Sequence, residues 1–264
     1  MILTSDPMFA KEAQDAGVER IFFDLEYVNK AERQRGRNTV ISNNNIDDIP
    51  KVKRVLTTSS LIVRTNPIHA YSKEEINKAI EYGADILMLP MVISASDAQK
   101  YVDIIAGRAK VCIMIETAQA MARIDDILEI NGVDEIFIGL NDLHISLGLN
   151  FMFEVLSCGF VEYIANKCFA KGIPYGFGGI ARIGDGALPA EKILGEHIRL
   201  KSTSVILSRT FKGEVGDNKD FTVSLAEEVH KVKDRLETIQ EWSEGQLENN
   251  RLEIKSIVNG IIYR

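Results

Sequence analysis

A short unit repeats along this chain and restricts its fold more than any other feature of the sequence. In each copy a helix ends at a glycine and leads into an apolar run that stops at polar residues or proline, and copies lie at 16–26, 82–90 and 133–143. Glycine just past the last helical residue is a common stop signal. A short apolar run bounded in this way is typical of a buried parallel strand. The unit therefore predicts a chain built from repeated βα connections.

Strands and helices alternate along the predicted chain, which is typical of a (β/α)8 barrel. Eight strands are predicted at 1–4, 21–26, 60–64, 85–89, 110–115, from 134, at 173–176 and at 204–207, and helices at 6–14, 46–55, from 72, and at 96–105, 118–130 and 155–170. A chain of 264 residues with 45% hydrophobic content can bury one such core. We therefore predict an α/β fold, a TIM barrel, with residues 1–220 as the catalytic domain.

The C-terminal segment, 221–264, exceeds what a barrel needs to close. Its pattern predicts one amphipathic helix to about residue 248, followed by an apolar patch at Ile254, Ile257, Ile261 and Ile262. Surplus apolar helix at a chain end often packs on a neighbouring subunit. We expect this helical extension to do so, and hence a homo-oligomer, with packing on its own barrel as the alternative.

Composition restricts the class of partner. The formal net charge of −7 argues against nucleic acid, because phosphate binding favours a basic face. The first residues lack the charged and apolar regions of a signal peptide, and no apolar run is long enough for a membrane span. Cys112, Cys158 and Cys168 have neither the number nor the spacing of a disulfide framework or zinc site. We expect a cytoplasmic protein that acts on a small molecule.

Polar and small residues follow several predicted strands and should meet at the carboxyl face of the barrel. They are Asp24, Glu26, Arg64, Glu116, Asn141, Asp142, Gly178 and Gly179. Crowded carboxylates repel one another unless protons or a cation intervene, and oxygen ligands select a hard ion such as Mg²⁺ or Mn²⁺. Each acid could instead cap the helix that follows it. Glu116 and Asp142 facing Arg64 favour the metal site.

The residues at these strand ends also resemble the motifs of a known protein family. Ile115-Glu116-Thr117-Ala118, followed by Gly139-Leu140-Asn141-Asp142-Leu143, resembles the metal-binding pair of the HpcH/HpaI aldolase and citrate lyase β-subunit family. Phe23-Asp24-Leu25-Glu26, Val63-Arg64-Thr65-Asn66-Pro67, the 83–90 strand and Gly178-Gly179-Ile180-Ala181 fit the same family, so the resemblance covers about 16–211.

The resemblance implies a barrel of the pyruvate/phosphoenolpyruvate superfamily in which Glu116 and Asp142 bind Mg²⁺ or Mn²⁺. The substrate, a 2-oxo acid, would chelate the ion, and Arg64 would face the oxygen that becomes the enolate. Asp24, Gly178 and Gly179 are the further substrate-binding candidates. Glycine lets backbone approach a ligand, although a tight turn alone explains the two glycines equally well. The family's assembly implies a trimer or hexamer.

One position departs from the family. Its aldolases carry a histidine after the second strand's Glu, and its citrate-lyase branch carries an acid, whereas Tyr27 follows Glu26 here. A phenol with an ordinary pKa near ~10 is a poor base at neutral pH. Tyr27 stays a candidate catalytic residue by its position, and His144, on the loop after the sixth strand, is a possible substitute base. The alternative for His144 is a loop histidine bonded to backbone. His69 is a weaker candidate, and His197 and His230 are expected to be structural.

These inferences predict a carbon–carbon lyase, an aldolase that cleaves a 4-hydroxy-2-oxo acid to pyruvate and an aldehyde through a metal-bound enolate. The alternatives are an acyl-CoA lyase, a 2-oxo-acid decarboxylase that needs no external base, and a metal-binding barrel without turnover. Arg209 could bind a second substrate anion. Arg33, Arg35 and Arg37 could bind a distal carboxylate or coenzyme A phosphates, and the alternative is a solvated loop.

Overall fold

A closed barrel of eight parallel strands forms the centre of the computed structural model, which describes residues 1–27, 44–215, 218–219 and 224–263. The strands are β1 (Ile2–Leu3), β2 (Arg20–Asp24), β3 (Ser60–Arg64), β4 (Ile86–Leu89), β5 (Lys110–Ile115), β6 (Glu135–Ile138), β7 (Tyr175–Ile180) and β8 (Ser204–Leu207). Each strand pairs with the next, and Ile2 pairs with Leu207 to close the barrel. The predicted (β/α)8 fold is confirmed.

Helices cover the barrel and connect its strands. They are α1 (Pro7–Asp15), α2 (Ile49–Val55), α3 (Ser72–Glu81), α4 (Ala95–Ile105), α5 (Ala118–Ala122), α6 (Ile124–Leu128), α7 (Leu140–Ser146), α8 (Glu154–Ser157), α9 (Phe160–Lys171), α10 (Ala190–Arg199), α11 (Leu225–Gln240) and α12 (Glu244–Ile262). Short 3₁₀ helices lie at Ile46–Asp48 and Arg209–Lys212, and β9 (Glu214–Val215) pairs with β10 (Asn218–Lys219) in a separate hairpin.

Two helices, one strand and one loop differ from the prediction. The single helices predicted at 118–130 and 155–170 are each divided, the second at Gly159, whose φ of 84° is left-handed. The seventh strand runs to Ile180 rather than ending at 176. The segment after β6 forms α7, so Asp142 and His144 lie on a short helix and not on a loop.

The described part of the tail contains two helices rather than the one predicted. Ser243 begins α12 with a capping box, in which its side chain and Gln246 each accept the other's backbone N–H. Both helices pack on the chain's own barrel: α11 against α1 and α10, and α12 against α8 and α10. Val232, Ile254 and Val258 are buried there. The predicted contact with a neighbouring subunit therefore loses the support of these apolar positions and stays a prediction.

Apolar side chains fill the barrel's interior below the carboxyl face. The inner cluster contains Phe22, Ile62, Ile86, Met88, Cys112, Met114 and Phe137, all nearly inaccessible. At the amino-terminal end, Arg20 on β2 donates to both carboxylate oxygens of Glu135 on β6, at 2.8 Å each. Cys112 and Cys168 are buried and Cys158 is exposed, each as a free thiol. No helix in the described ranges has the length and apolarity to span a bilayer.

Candidate active site

Arg64, the last residue of β3, is held by a bidentate ion pair with the last residue of β2. Its Nε donates to Asp24 Oδ1 at 2.8 Å and its Nη2 to Asp24 Oδ2 at 2.9 Å. The register places the two residues opposite each other in the ladder. Asp24 is 1% exposed, so this pair is shielded from water. Such a two-point contact fixes the plane of the guanidinium.

Glu26 contacts the same guanidinium. Its Oε2 lies 3.3 Å from Arg64 Nη2, and the period of two along an extended chain puts Asp24 and Glu26 on the same side. Burial opposes a charge on Arg64, but the charges of Asp24 and Glu26 outweigh it and raise the pKa of Arg64 above its ordinary value. The guanidinium is therefore a permanent cation at the end of the barrel.

Glu116 follows β5 directly and is 2% exposed. Its Oε1 accepts the backbone N–H of Met91 at 2.8 Å. Burial, together with the negative charges of Glu26 and Asp142, raises the pKa of Glu116 to about 8, while Arg64 acts in the opposite direction. Burial and the negative neighbours therefore outweigh the stabilising effect of Arg64 on the charged form of Glu116.

Asp142 lies in the first turn of α7, and Gly139 precedes that helix as its N-cap. Gly139 packs on Glu116 so closely that a Cβ at this position would lie 2.6 Å from Glu116 Oε2 and 2.8 Å from Glu116 Cβ. Only a residue without a side chain leaves Glu116 this room. The β6–α7 turn therefore brings the carboxylates of Glu116 and Asp142 to one place.

A cavity of about 200 Å³ lies among these residues at the carboxyl face. Six of the eight strand-end residues singled out from the sequence line it: Arg64, Glu116, Asn141, Asp142, Gly178 and Gly179. Met114, Phe137, Leu140, Met152 and Ile206 give it apolar walls, and Asn141 and Ser208 add polar groups. Its volume suits a small acid rather than a large ligand.

The donors present fit a divalent metal ion. Arg64 is the single cationic side chain among the described residues that line the cavity, and it already faces two other carboxylates. Within the described ranges no group of three or more His, Cys, Asp and Glu side chains is arranged to bind a metal. Mg²⁺ commonly uses only one or two protein carboxylates, with water and substrate oxygens as the other ligands. Glu116 and Asp142 match that mode.

Other candidate residues lie outside this cavity. Tyr27 is 62% exposed and lines a separate depression of about 610 Å³, together with His69. His144 is buried on α7 and does not contribute to the cavity wall. Asp24 accepts from Arg64 with both carboxylate oxygens, so it orients the arginine, and its expected contact with substrate stays a prediction. The expected catalytic roles of Tyr27 and His144 stay predictions.

Gly178 and Gly179 lie where β7 departs from regular pairing with β8. Gly178 has a left-handed φ of 56°, and a Cβ there would lie 2.6 Å from Leu140 Cδ1. The absence of side chains keeps this wall of the cavity close to the backbone.

The arginines proposed to bind further anions have different outcomes. The same face of the barrel carries Arg209, together with Arg182 and Ser208, in the segments after β7 and β8. The cluster of Arg33, Arg35 and Arg37 falls outside the described residues.

Two contributors to the site could not be identified as such from their side chains. Met91 supplies a backbone N–H to Glu116 and has a left-handed φ of 53°, which is uncommon outside glycine. Gly139 supplies only space. The signal for Met91 is its place after the Leu89-Pro90 strand end, and the signal for Gly139 is the break in the apolar run.

Fold and site together define an α/β-barrel protein with a carboxylate-rich cavity at the ends of its strands. The model of the HpcH/HpaI aldolase/citrate lyase family matches residues 2–156, which is more than half of the 264 residues. The chain belongs to this family, which is one of lyases and aldolases.

The individual proteins that resemble this chain either match a short segment of it or share low sequence identity with it. The chain is similar to the hydroxypyruvate/pyruvate aldolase of Rhizorhabdus wittichii, with 39% identity over 77 residues that cover 26% of this chain and 31% of that protein. Its fold is similar to a family structure from Burkholderia cenocepacia, with a TM-score of 0.62, 15% identity and coverage of 91% and 93%. A family aldolase from Desulfitobacterium hafniense gives a TM-score of 0.60, 16% identity and coverage of 92% and 93%. At these identities the structures establish the fold alone.

Proposed function

We propose that this protein is a carbon–carbon lyase, dependent on Mg²⁺ or Mn²⁺, that cleaves a 4-hydroxy-2-oxo acid to pyruvate and an aldehyde. One observation carries the proposal: Glu116, Asp142 and Arg64 line a single cavity at the carboxyl face of a barrel from a lyase family. Pyruvate formation also agrees with the name of the Rhizorhabdus relative, although the matched segment is 31% of that protein.

Arg64 is the group that would stabilise developing charge. As the bond between C3 and C4 breaks, electrons move to the keto oxygen of the pyruvate half. A guanidinium fixed in advance by Asp24 and Glu26 stabilises that oxygen without reorganising, which is the main source of electrostatic catalysis. A divalent ion held by Glu116 and Asp142 would supply Lewis-acid polarisation of the same keto group.

Cleavage of a 4-hydroxy-2-oxo acid requires a base that accepts the proton of the 4-hydroxyl. None of the described residues that line the cavity is a histidine, tyrosine or lysine. This observation favours a second candidate, decarboxylation of an oxaloacetate-like acid, because loss of CO₂ leaves the same enolate and needs no external base. In both reactions Arg64 would stabilise the negative charge on the oxygen of the enolate.

The acyl-CoA alternative gains no comparable support from the depression of about 610 Å³. Its described lining contains one lysine, Lys78, and that lysine lies 2.7 Å from Asp47 Oδ1. Phosphate groups favour unpaired cations and arginine forks. A barrel that binds metal without turnover is the remaining alternative.

Exchange of the methyl protons of pyruvate for deuterium tests the proposal without knowledge of the aldehyde. With Mn²⁺ or Mg²⁺ present we expect wild-type protein to catalyse exchange, followed by ¹H NMR. Arg64→Lys should slow it about 100-fold, because one ammonium cannot replace a fork held at two points. Arg20→Lys is the matched control, since Arg20 forms a similar pair with Glu135 at the opposite end of the barrel.

The outcomes separate the alternatives. Equal exchange by wild type and Arg64→Lys would contradict the role of Arg64. Metal binding without exchange on pyruvate, and without decarboxylation of oxaloacetate, would favour an acyl-CoA lyase or a barrel that binds metal without turnover. Decarboxylation without cleavage of any 4-hydroxy-2-oxo acid would select the second candidate.

A further inference from the structure

A side chain continues the pairing of β2 and β3 beyond their backbone ladder. The ladder ends where Leu25 N–H donates to the carbonyl of Arg64 at 2.9 Å. The next link is Tyr27 N–H, which donates to Asn66 Oδ1 at 3.0 Å. Asn66 therefore substitutes for a backbone acceptor at the point where the chain leaves Glu26.

Glu75, in the first turn of α3, fixes Asn66. Its Oε1 accepts both the backbone N–H and the side-chain Nδ2 of Asn66, at 3.0 Å each. Because the amide must direct Nδ2 at the carboxylate, its Oδ1 is directed at Tyr27. The side chain of Glu75 is 13% exposed, so water competes little for these contacts.

His69 occupies the second oxygen of Glu75. Its Nε2 lies 2.9 Å from Glu75 Oε2, while its Nδ1 accepts the backbone N–H of Tyr71 at 3.1 Å. With Nδ1 acting as acceptor, the neutral ring carries its proton on Nε2 and donates it to Glu75. The carboxylate thus receives three donors and has fixed orientation.

We infer that Glu75 is a positioning residue for Arg64. Through Asn66 it holds the chain on both sides of the ion pair, two residues after Arg64 and one residue after Glu26. The contact of 3.3 Å between Glu26 Oε2 and Arg64 Nη2 depends on this alignment. Where it concerns reaction rate, the inference rests on the proposed function.

The order of the Arg64 side chain can be measured without turnover. Solvent exchange of the Arg64 Nε–H, observed by ¹⁵N NMR and assigned by its loss in Arg64→Lys, reports how firmly the group is bound to Asp24. Glu75→Ala should speed this exchange about tenfold or more, since removal of a supporting contact loosens groups set to sub-ångström precision. Glu74→Ala is the matched control: Glu74 lies in the same turn of α3 and is exposed.

The conservative variant distinguishes alignment from charge. Glu75→Gln keeps an oxygen for the two donors of Asn66 and loses only the bond from His69, so it should restore most of the order of Arg64. A role limited to negative charge at the start of α3 would make Glu75→Gln equal to Glu75→Ala. Glu75→Asp, whose shorter side chain cannot span to Asn66, provides a second disruptive variant where Glu75→Ala does not fold.

Kinetics complete the test. Glu75→Ala should lower kcat of pyruvate proton exchange about tenfold, with the KM for pyruvate and the Kd for Mn²⁺ unchanged. Unchanged Arg64 Nε–H exchange in both Glu75→Ala and Glu75→Asp would overturn the inference and leave the proposed function intact. Altered exchange at Arg64 with no pyruvate chemistry in wild type would reject the proposed function and leave the positioning role intact.

Discussion

The carboxylate of Glu116 is held on both of its oxygens. One of its oxygens is fixed by the N–H of Met91, and the backbone of Gly139 lies against the other. The carboxylate therefore has little freedom to rotate. Such support is what a metal ligand needs, because a ligand displaced by a fraction of an ångström loses affinity.

Gly139→Ala should weaken Mn²⁺ binding at least about tenfold, because a Cβ 2.6 Å from Glu116 Oε2 forces the carboxylate out of place. Titration calorimetry measures the change. Gly260→Ala on α12 is the control, since a Cβ there meets no atom within 4 Å and metal affinity should stay at the wild-type value. Unchanged affinity in Gly139→Ala would mean that Glu116 is not a metal ligand.

The polar residues of the site were predictable where the chemistry lies in a side chain at a strand end. Arg64, Glu116 and Asp142 obey that rule, and the structure places all three around one cavity. Met91 and Gly139 could not be found in this way, because one acts through its backbone N–H and the other through its lack of a side chain. Tyr27 lines a different depression, and the bond from its backbone N–H to Asn66 joins residues 39 positions apart, which no local pattern in the sequence shows.

At the scale of elements, the prediction was accurate where the apolar pattern alone determines the bounds of a strand. The bounds of β5 and β8 are those predicted. The end of β7 was missed because glycines at 176, 178 and 179 are weak strand formers, and the strand continues only through the pairing of Gly176, Gly179 and Ile180 with β8. Helix α7 was missed because seven residues with polar members at Asn141, Asp142 and His144 give too little periodicity.

The contact of α10 with β7 gives the fold a sensitivity to acid. His197 on α10 stacks on Phe177, with ring centroids 3.8 Å apart. Its Nδ1 is 2.9 Å from Ser202 Oγ, and its Nε2 is buried without a hydrogen-bond partner among the described residues. Burial lowers the pKa of His197 to about 3. The folded protein therefore keeps this ring neutral at pH values where the unfolded chain binds a proton.

Stability should consequently fall as pH drops below the ordinary histidine pKa of about 6.5, and continue to fall toward pH 3. Between pH 7.5 and pH 5 this residue should lower the free energy of unfolding by about 2 kcal/mol. Urea denaturation of wild type and His197→Gln at both pH values measures the difference, which the variant should lack. His230→Gln, at an exposed histidine of α11, should respond to pH like wild type; equal pH dependence in all three would contradict the assignment.

At the scale of the molecule, the tail is part of the barrel's covering. Asn250 donates from Nδ2 to the carbonyl of Lys192 at 2.9 Å and packs against Gly195 of α10. Ile254 and Val258 are 1% and 0% exposed. The sequence showed the apolar face of this segment but not its partner, because amphipathic periodicity is the same for a helix that packs within its chain and for one that packs on a neighbour.

Deletion of residues 244–264 should therefore destabilise the barrel itself, by several kcal/mol, since it uncovers apolar side chains of α8 and α10. Thermal unfolding, with size-exclusion chromatography and light scattering, measures stability and assembly together. Deletion of 263–264 alone is the control. A truncated chain that keeps wild-type stability and changes only from the expected trimer or hexamer to a monomer would show that the tail serves a neighbouring subunit.

The account as a whole depends on one metal ion bound by Glu116 and Asp142 in front of Arg64. Titration of Mn²⁺, followed by water-proton relaxation, tests this most directly in wild type, Glu116→Gln and Glu135→Gln, the last being a buried glutamate on β6 at the other end of the barrel. We predict one site per chain in wild type and in Glu135→Gln, and no saturable binding in Glu116→Gln. Equal Mn²⁺ affinity in wild type and Glu116→Gln would contradict the account.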